Sequence, residues 1–393
     1  MPSEFWYVAL LFTLFVVPRM LQRFRVPSAV TALAFGIAAG PGAGLLTHDD
    51  TVALLSTLGI VSLFLFAGLD VSVSELRQER RVLVEHIAVR LLMLGTVTAI
   101  VTYAAGLPVR PAVLSALALL TPSTGFILDS LERWLPDDRD RFWVRSKAIA
   151  TEIVALLVLF VALQSTSAAR LGWSSAALIG LIAVLPLLFR WFAAFVVPHA
   201  PRSEFGFLVM VAVAAALITR HLGVYYLVGA FAVGMAARQF RTQLPGLSSD
   251  RMVGAVESFA SLFVPFYFFR AGASLSRTDF SLAAAGYGLL FIIMALPFRL
   301  CLVAAHRAAR LDEPPSQGLR IAMAMMPTTV FTLVLAEILR VGFRTPDGWI
   351  GGLVIYAIVN SLLPGLVLRI TPPAFEDELQ LEESGRVRGA VGQ

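Results

Sequence analysis

Long apolar runs alternate with short polar dividers along nearly the whole chain. A helix that crosses a bilayer needs about 20 mostly apolar residues, and the pattern predicts thirteen such spans. They cover approximately 4–22, 28–47, 51–70, 85–106, 111–131, 143–166, 173–196, 203–219, 223–238, 252–270, 281–308, 317–340 and 347–369. The divider between the eighth and ninth is short, Ile218-Thr219-Arg220-His221-Leu222-Gly223. The first run is read as a retained helix, because Pro2-Ser3-Glu4 lacks a basic start and Pro18-Arg19 is not a small-residue cleavage site. Residues 1–370 therefore form one membrane domain, and 371–393, with Glu376-Asp377-Glu378, read as a short polar cytoplasmic tail without apolar periodicity.

Composition agrees. The chain has 393 residues, of which 58% are hydrophobic and 15% charged, against roughly 45–50% and 25% in soluble domains. A soluble enzyme is excluded on this ground. Cys301 is the single cysteine, so there is no intrachain disulfide and no cysteine-based metal centre. The net charge is +5, and Lys147 is the one lysine among 31 basic residues. These bases cluster in alternate loops, so they mark cytoplasmic loops rather than a nucleic-acid surface. One set of loops and the tail holds 21 bases, Lys147, Arg139, Arg145 and Arg307 among them, and the opposite set holds six. That bias predicts an odd helix count, an outside N-terminus and a cytoplasmic C-terminus in the inner (plasma) membrane.

Two spans share a pattern. The fifth contains Ala116-Leu117-Ala118-Leu119-Leu120-Thr121-Pro122-Ser123-Thr124, and the twelfth Ala322-Met323-Ala324-Met325-Met326-Pro327-Thr328-Thr329. They are seven spans apart, an odd offset, so they cross in opposite directions, as in an inverted repeat with interrupted helices. Proline removes a backbone N–H and frees carbonyls, which at membrane depth survive only when buried or facing a cavity. Thr121, Pro122, Ser123 and Thr124, with Pro327, Thr328 and Thr329, thus offer hard oxygen ligands suited to an alkali cation. One such proline would be a simple kink; two at matching positions point to a binding site.

Charges at bilayer depth are expensive and usually functional. Asp70 and Asp129 fall at span ends, Glu337 and Arg270 near outer ends, Glu257 one turn inside the tenth span, and Arg90 and Arg190 can snorkel to an interface. Glu152, after Thr151 in the sixth span, and Arg299 in the eleventh lie near the middle. A carboxylate that can hold a proton, a cation or an arginine, but not all together, is the minimum machinery for ion–proton exchange; a fixed ion pair that locks the fold is the alternative. The five histidines, His48, His86, His199, His221 and His306, are dispersed and read as loop or interfacial residues. No cofactor is expected.

The chain resembles the membrane domain of the cation:proton antiporter superfamily, which includes sodium/proton exchangers and Kef-type potassium/proton systems. The resemblance is carried by the run from Leu58 to Ala67-Gly68-Leu69-Asp70, by Val26-Pro27 with Gly36-Ile37-Ala38-Ala39-Gly40-Pro41, by Pro265-Phe266-Tyr267-Phe268-Phe269-Arg270-Ala271-Gly272, and by Gly318-Leu319-Arg320. It implies an all-α fold with spans five and twelve as crossed, broken helices of a core that moves against a dimerisation domain. It also implies a homodimer that exchanges Na⁺ or K⁺ for H⁺ across the lipid bilayer. Glu152, with Thr151, matches the ion-binding aspartate, and Arg299 the basic residue that stabilises the empty carboxylate. Thr151-Glu152 replaces the family's usual Asp-containing pair, which favours an electroneutral cycle. The alternative is a transport-silent sensor or partner subunit, motivated by Thr151-Glu152 and Met326-Pro327-Thr328-Thr329.

Overall fold

The computed structural model describes residues 3–46, 49–72, 77, 80–135, 137–200, 203–223, 225–240, 250–311 and 313–368. The tail 371–393 lies outside the described residues, as do Arg202, Arg241 and the side chains of Asp129, Arg133 and Arg251. Helices follow the apolar runs: Ser3–Phe15 (α1), Val17–Gln22 (α2), Ser28–Ile37 (α3, continued by a π turn to Gly42), Asp50–Leu69 (α4), Arg80–Ala105 (α5), Val109–Leu120 (α6) and Thr124–Trp134 (α7). Then come Asp138–Gln164 (α8), Ala168–Phe195 (α9), Glu204–His221 (α10), Tyr226–Gln239 (α11), Asp250–Ala273 (α12) and Leu282–Leu311 (α13). Pro315–Ala324 (α14), Thr329–Phe343 (α15) and Asp347–Val367 (α16) complete the order.

Among the described residues, ten helices are long and apolar enough to cross a membrane, or eleven when the bent pair α14–α15 counts as one span. Every predicted span has a helix, but the π-extended α3 covers Ser28–Gly42 and α11 has 14 residues, both short for a full crossing. Length and composition therefore support ten or eleven spans where the sequence pattern predicts thirteen. Side-chain caps start several helices: Asp49 accepts from Val52 N at 2.9 Å before α4, Asp137 from Arg139 N before α8, and Ser167 from Arg170 N before α9. Large apolar side chains face outward on α5 and α9, among them Leu92, Tyr103, Trp173 and Ile179. That is the surface a helix presents to lipid.

Two groups of helices pack separately and meet along one seam. In the first, α3 and α4 lie against α11 and α12. Glycines let these backbones touch: a Cβ on Gly36 would run into the carbonyl of Phe269, and one on Gly68 into that of Phe231. In the second group, α6 lies against α5 and α15, and α16 against α13 and α15. The second group is held by polar contacts described below.

Candidate ion site at the crossing of two broken helices

Both proline-containing segments are broken where expected. Helix α6 ends at Leu120, Thr121-Pro122-Ser123 is non-helical, and α7 starts at Thr124. Helix α14 ends at Ala324, Met325 to Thr328 is non-helical, and α15 leaves at 51°. The two breaks are hydrogen-bonded to one another. Ser123 N donates to Pro327 O at 2.8 Å, Val330 N to Ser123 Oγ at 2.9 Å, and Thr332 Oγ1 to Ala118 O at 2.8 Å.

The carbonyls freed by unwinding are therefore largely taken by protein donors, where the sequence suggested cation ligands. Arg299, completely buried, donates through one terminal nitrogen to Met326 O at 3.0 Å and Tyr356 OH at 2.9 Å, and through the other to Met325 O at 2.9 Å. Tyr356 in turn donates to Leu119 O at 2.8 Å. A guanidinium on these carbonyls also meets the negative end of the α14 dipole. The structure contains no ion pair between Arg299 and Glu152; in this conformation Arg299 fastens the second break to α16. Thr328 is held by Asn360, whose Nδ2 donates to Thr328 Oγ1 at 2.8 Å, and by Thr332. Thr329 shares a short hydrogen bond with Ser361. Asn360, Ser361 and Tyr356 carry this network, and the last span hides them because these few polar residues are embedded in a long apolar run.

Glu152 lies beside the first break and is 2% exposed, and its Oε2 has no hydrogen-bond partner. It lines a cleft with Ser123, Thr124 and Gly125 from the first break, Val330 and Phe331 from α15, and Leu63, Phe64 and Ala67 from α4. The cleft is too narrow for a water molecule, and Thr124 Oγ1 is also without a partner. Leu63, Phe64 and Ala67 belong to the glycine-packed group, so the carboxylate sits on the seam between the two groups. Of the residues the sequence singles out, Glu152, Ser123 and Thr124 come together here. Thr121 is buried at the break and Pro122 adjoins it, while Pro327, Thr328 and Thr329 form the second break.

Thr151 points elsewhere. Its hydroxyl donates to Lys147 O at 2.8 Å, so His86 Nε2, 3.1 Å away, is the donor to Thr151. Four expectations change on this side. Arg90 does not snorkel but is 5% exposed; Lys147 is not a loop residue but is fully buried within α8; and Arg307 is fully buried in a two-point pair with Glu313 at 2.8 and 2.7 Å. His86, read as interfacial, is buried, with the His306 ring 6.1 Å away. Helical spacing carried the signal: Trp143, Lys147 and Thr151 lie four apart on α8, and His86 and Arg90 four apart on α5. Glu337 and Arg190 are exposed, and Arg270 is tethered to Ala53 O at 3.3 Å.

Two broken helices crossing at their breaks beside a buried carboxylate make an arrangement that can be compared with known proteins. The transmembrane sodium/hydrogen exchanger family model matches residues 10–372. The chain belongs to that family. It is a family of transporters rather than enzymes. A curated relative, the probable Na(+)/H(+) antiporter 3 of Methanocaldococcus jannaschii, is 25% identical over 252 residues, 61% of this chain. The match spans 64% of that relative's length. Structures of the sodium proton antiporter MjNhaP1 from the same organism superpose with a TM-score of 0.66. One, at pH 8, is 14% identical and covers 92% of this chain and 94% of its own; another is 16% identical over 93% and 94%. These superpositions establish the antiporter fold for this chain.

Proposed function

We propose that the protein is a secondary active transporter that exchanges a monovalent cation, Na⁺ or K⁺, for protons by alternating access. One observation carries the reading: a buried carboxylate with an unpartnered oxygen, at the crossing of two broken helices, on the seam between two separately packed helix groups. A carboxylate in low dielectric must take up a proton or a cation to be stable, so Glu152 alternates between the two. Thr124 and Ser123 supply oxygen beside it. Thr151 steadies the adjoining turn, and Thr121, Pro122, Pro327, Thr328 and Thr329 set the shape of the breaks. Arg299 keeps the second break formed and contributes positive potential when the carboxylate is empty. A single carboxylate exchanging one proton for one cation gives an electroneutral cycle. Sliding of the two groups along the seam would expose Glu152 to each side in turn, and the likeness to sodium/proton antiporters supports sodium as the cation.

The excess of basic residues in one set of loops supports an outside N-terminus and a cytoplasmic C-terminus in the plasma membrane. The family resemblance supports a homodimer. The test is proton flux in sealed proteoliposomes carrying a pH dye, with Na⁺, K⁺ and Li⁺ added in turn. Cation-evoked flux is expected from wild type and its loss from Glu152→Gln. Full flux in Glu152→Gln would overturn the assignment, and silence of folded wild type with all three cations would favour the sensor or partner-subunit reading.

A further inference from the structure

The exchange site leaves a set of buried cations unused. Helix α5 turns a narrow stripe inward, Leu83, His86, Arg90, Met93 and Val101. Arg90 on that stripe is 5% exposed, and none of its three guanidinium nitrogens has a hydrogen-bond partner. Lys147 is fully buried, its Nζ has no partner, and it sits 5.5 Å from the centre of the Trp143 ring. One terminal nitrogen of Arg307 is also free, and the Arg307 guanidinium lies over the same ring. These groups are close enough to act on one another: Lys147 feels both Arg307 and Arg90, and His86 feels Arg90, Lys147, His306 and Arg307.

Among the described residues, the carboxylates of this region are engaged elsewhere. Glu313 holds Arg307, with Asp140 at 3.9 Å from it, and Glu85 holds Arg310 at 2.8 Å and lies 3.7 Å from His306. Arg90 cannot shed its charge by losing a proton, and a bare charge in low dielectric is strongly disfavoured. An anion would satisfy it. At 5% exposure Arg90 is closed off from its surroundings, which leaves a small freely diffusing anion rather than a headgroup that carries its acyl chains.

We infer that Arg90 and Lys147, with the free nitrogen of Arg307 and the His86 ring beside them, form a buried site for a small inorganic anion of halide or compact oxyanion size. Thr151 ties this site to the neighbouring carboxylate, since it bonds both His86 and the Lys147 carbonyl and directly precedes Glu152. A bound anion would offset positive potential that otherwise repels an arriving cation. That consequence rests on the proposed exchange; binding of the anion does not.

The experiment is thermal unfolding of the purified full chain in detergent at pH 7, with Na⁺ and ionic strength fixed and gluconate replaced by chloride, bromide, nitrate or phosphate. At least one anion is expected to raise Tm saturably, by about 3 °C at high occupancy. Arg90→Gln should abolish the rise, and Lys147→Gln should shift its midpoint about ten-fold, which keeps the test open if Arg90→Gln does not fold. Glu152→Gln should keep the anion response while losing cation-evoked flux, so the two proposals can fail separately. No rise over gluconate in wild type would overturn the site. So would a non-saturating rise shared equally by wild type, Arg90→Gln and Lys147→Gln.

Discussion

The two helix groups reach close packing by opposite chemistry. Where α3 and α4 meet α11 and α12, side chains are removed: Gly36 and Gly272 face one another's helices, as do Gly68 and Gly234, and backbone touches backbone. Where α6 crosses α14 and α15, backbone is unwound, and Ser123, Arg299, Thr332, Tyr356 and Asn360 replace the missing helical hydrogen bonds. In lipid, apolar burial drives helix association weakly, so contact area and hydrogen bonds must do it. The glycine seam maximises contact and tolerates no added atom. The crossing spends its regular structure to bring polar groups to membrane depth, where Ser123, Arg299, Tyr356 and Thr332 bond to partners on other segments and Thr124 and the Glu152 Oε2 are left unpartnered.

The difference is open to experiment. Gly36→Leu should be the most damaging change, because its side chain meets the Phe269 carbonyl and backbone cannot move aside cheaply. A loss of about 3 kcal/mol or more is expected, read as lost monodisperse protein on size exclusion; near-normal yield would mean that the seam is looser than its geometry. Arg299→Met comes next. It orphans the carbonyls of Met325 and Met326, each worth about 1–3 kcal/mol when buried and unpaired. Thermal stability and cation-evoked flux should both fall, whereas retained flux would reduce Arg299 to a dispensable strut.

Thr124→Val sharpens the contrast from the other side. The Thr124 hydroxyl has no protein partner, so stability should change by less than about 0.5 kcal/mol. The apparent KM for the cation should nevertheless rise about ten-fold, the equivalent of one lost ligand at about 1.4 kcal/mol. An unchanged KM would remove Thr124 from the site.

The smallest effect is expected at Asp49, outside the spans and bonded to Tyr7 and to the start of α4. Partial burial pushes its carboxyl up, but hydrogen bonds from Tyr7, Val52 and Thr51 outweigh it, and its pKa lies below the ordinary 3.8. A lowered folded-state pKa gives stability that is present above 3.8 and lost as pH falls through the lower value. The Tm gap between wild type and Asp49→Asn should therefore be constant from pH 5 to 8, within the range where Asp is ionised, and close at more acid pH. A gap that widened on acidification would contradict this account.

Much of this was legible in the chain. Apolar runs gave nearly every helix, because a spanning helix needs only length and hydropathy. Thr121-Pro122-Ser123 and Met326-Pro327-Thr328 marked the breaks, because proline cannot continue a helix, and Glu152 stood out as a charge without a nearby exit to water. Arg90, Lys147 and Arg307 were less visible. A basic residue a few turns from a helix end can reach the interface or point inward, and only the neighbouring helices decide which.

The sequence by itself determined that this is an all-helical membrane protein with two interrupted helices and a carboxylate near the middle of a span. Those properties follow from local terms: hydropathy over about 20 residues, a missing N–H, an ionisable group at depth. Only the tertiary structure decided which oxygens face Glu152, that Arg299 caps carbonyls, and that Lys147 and Arg90 are both buried inside the protein. Hydrogen bonds reach about 3 Å, and residues 26 to 214 positions apart in the chain, such as Arg299 with Met325 and Ala118 with Thr332, come within that range only through the packing of whole helices.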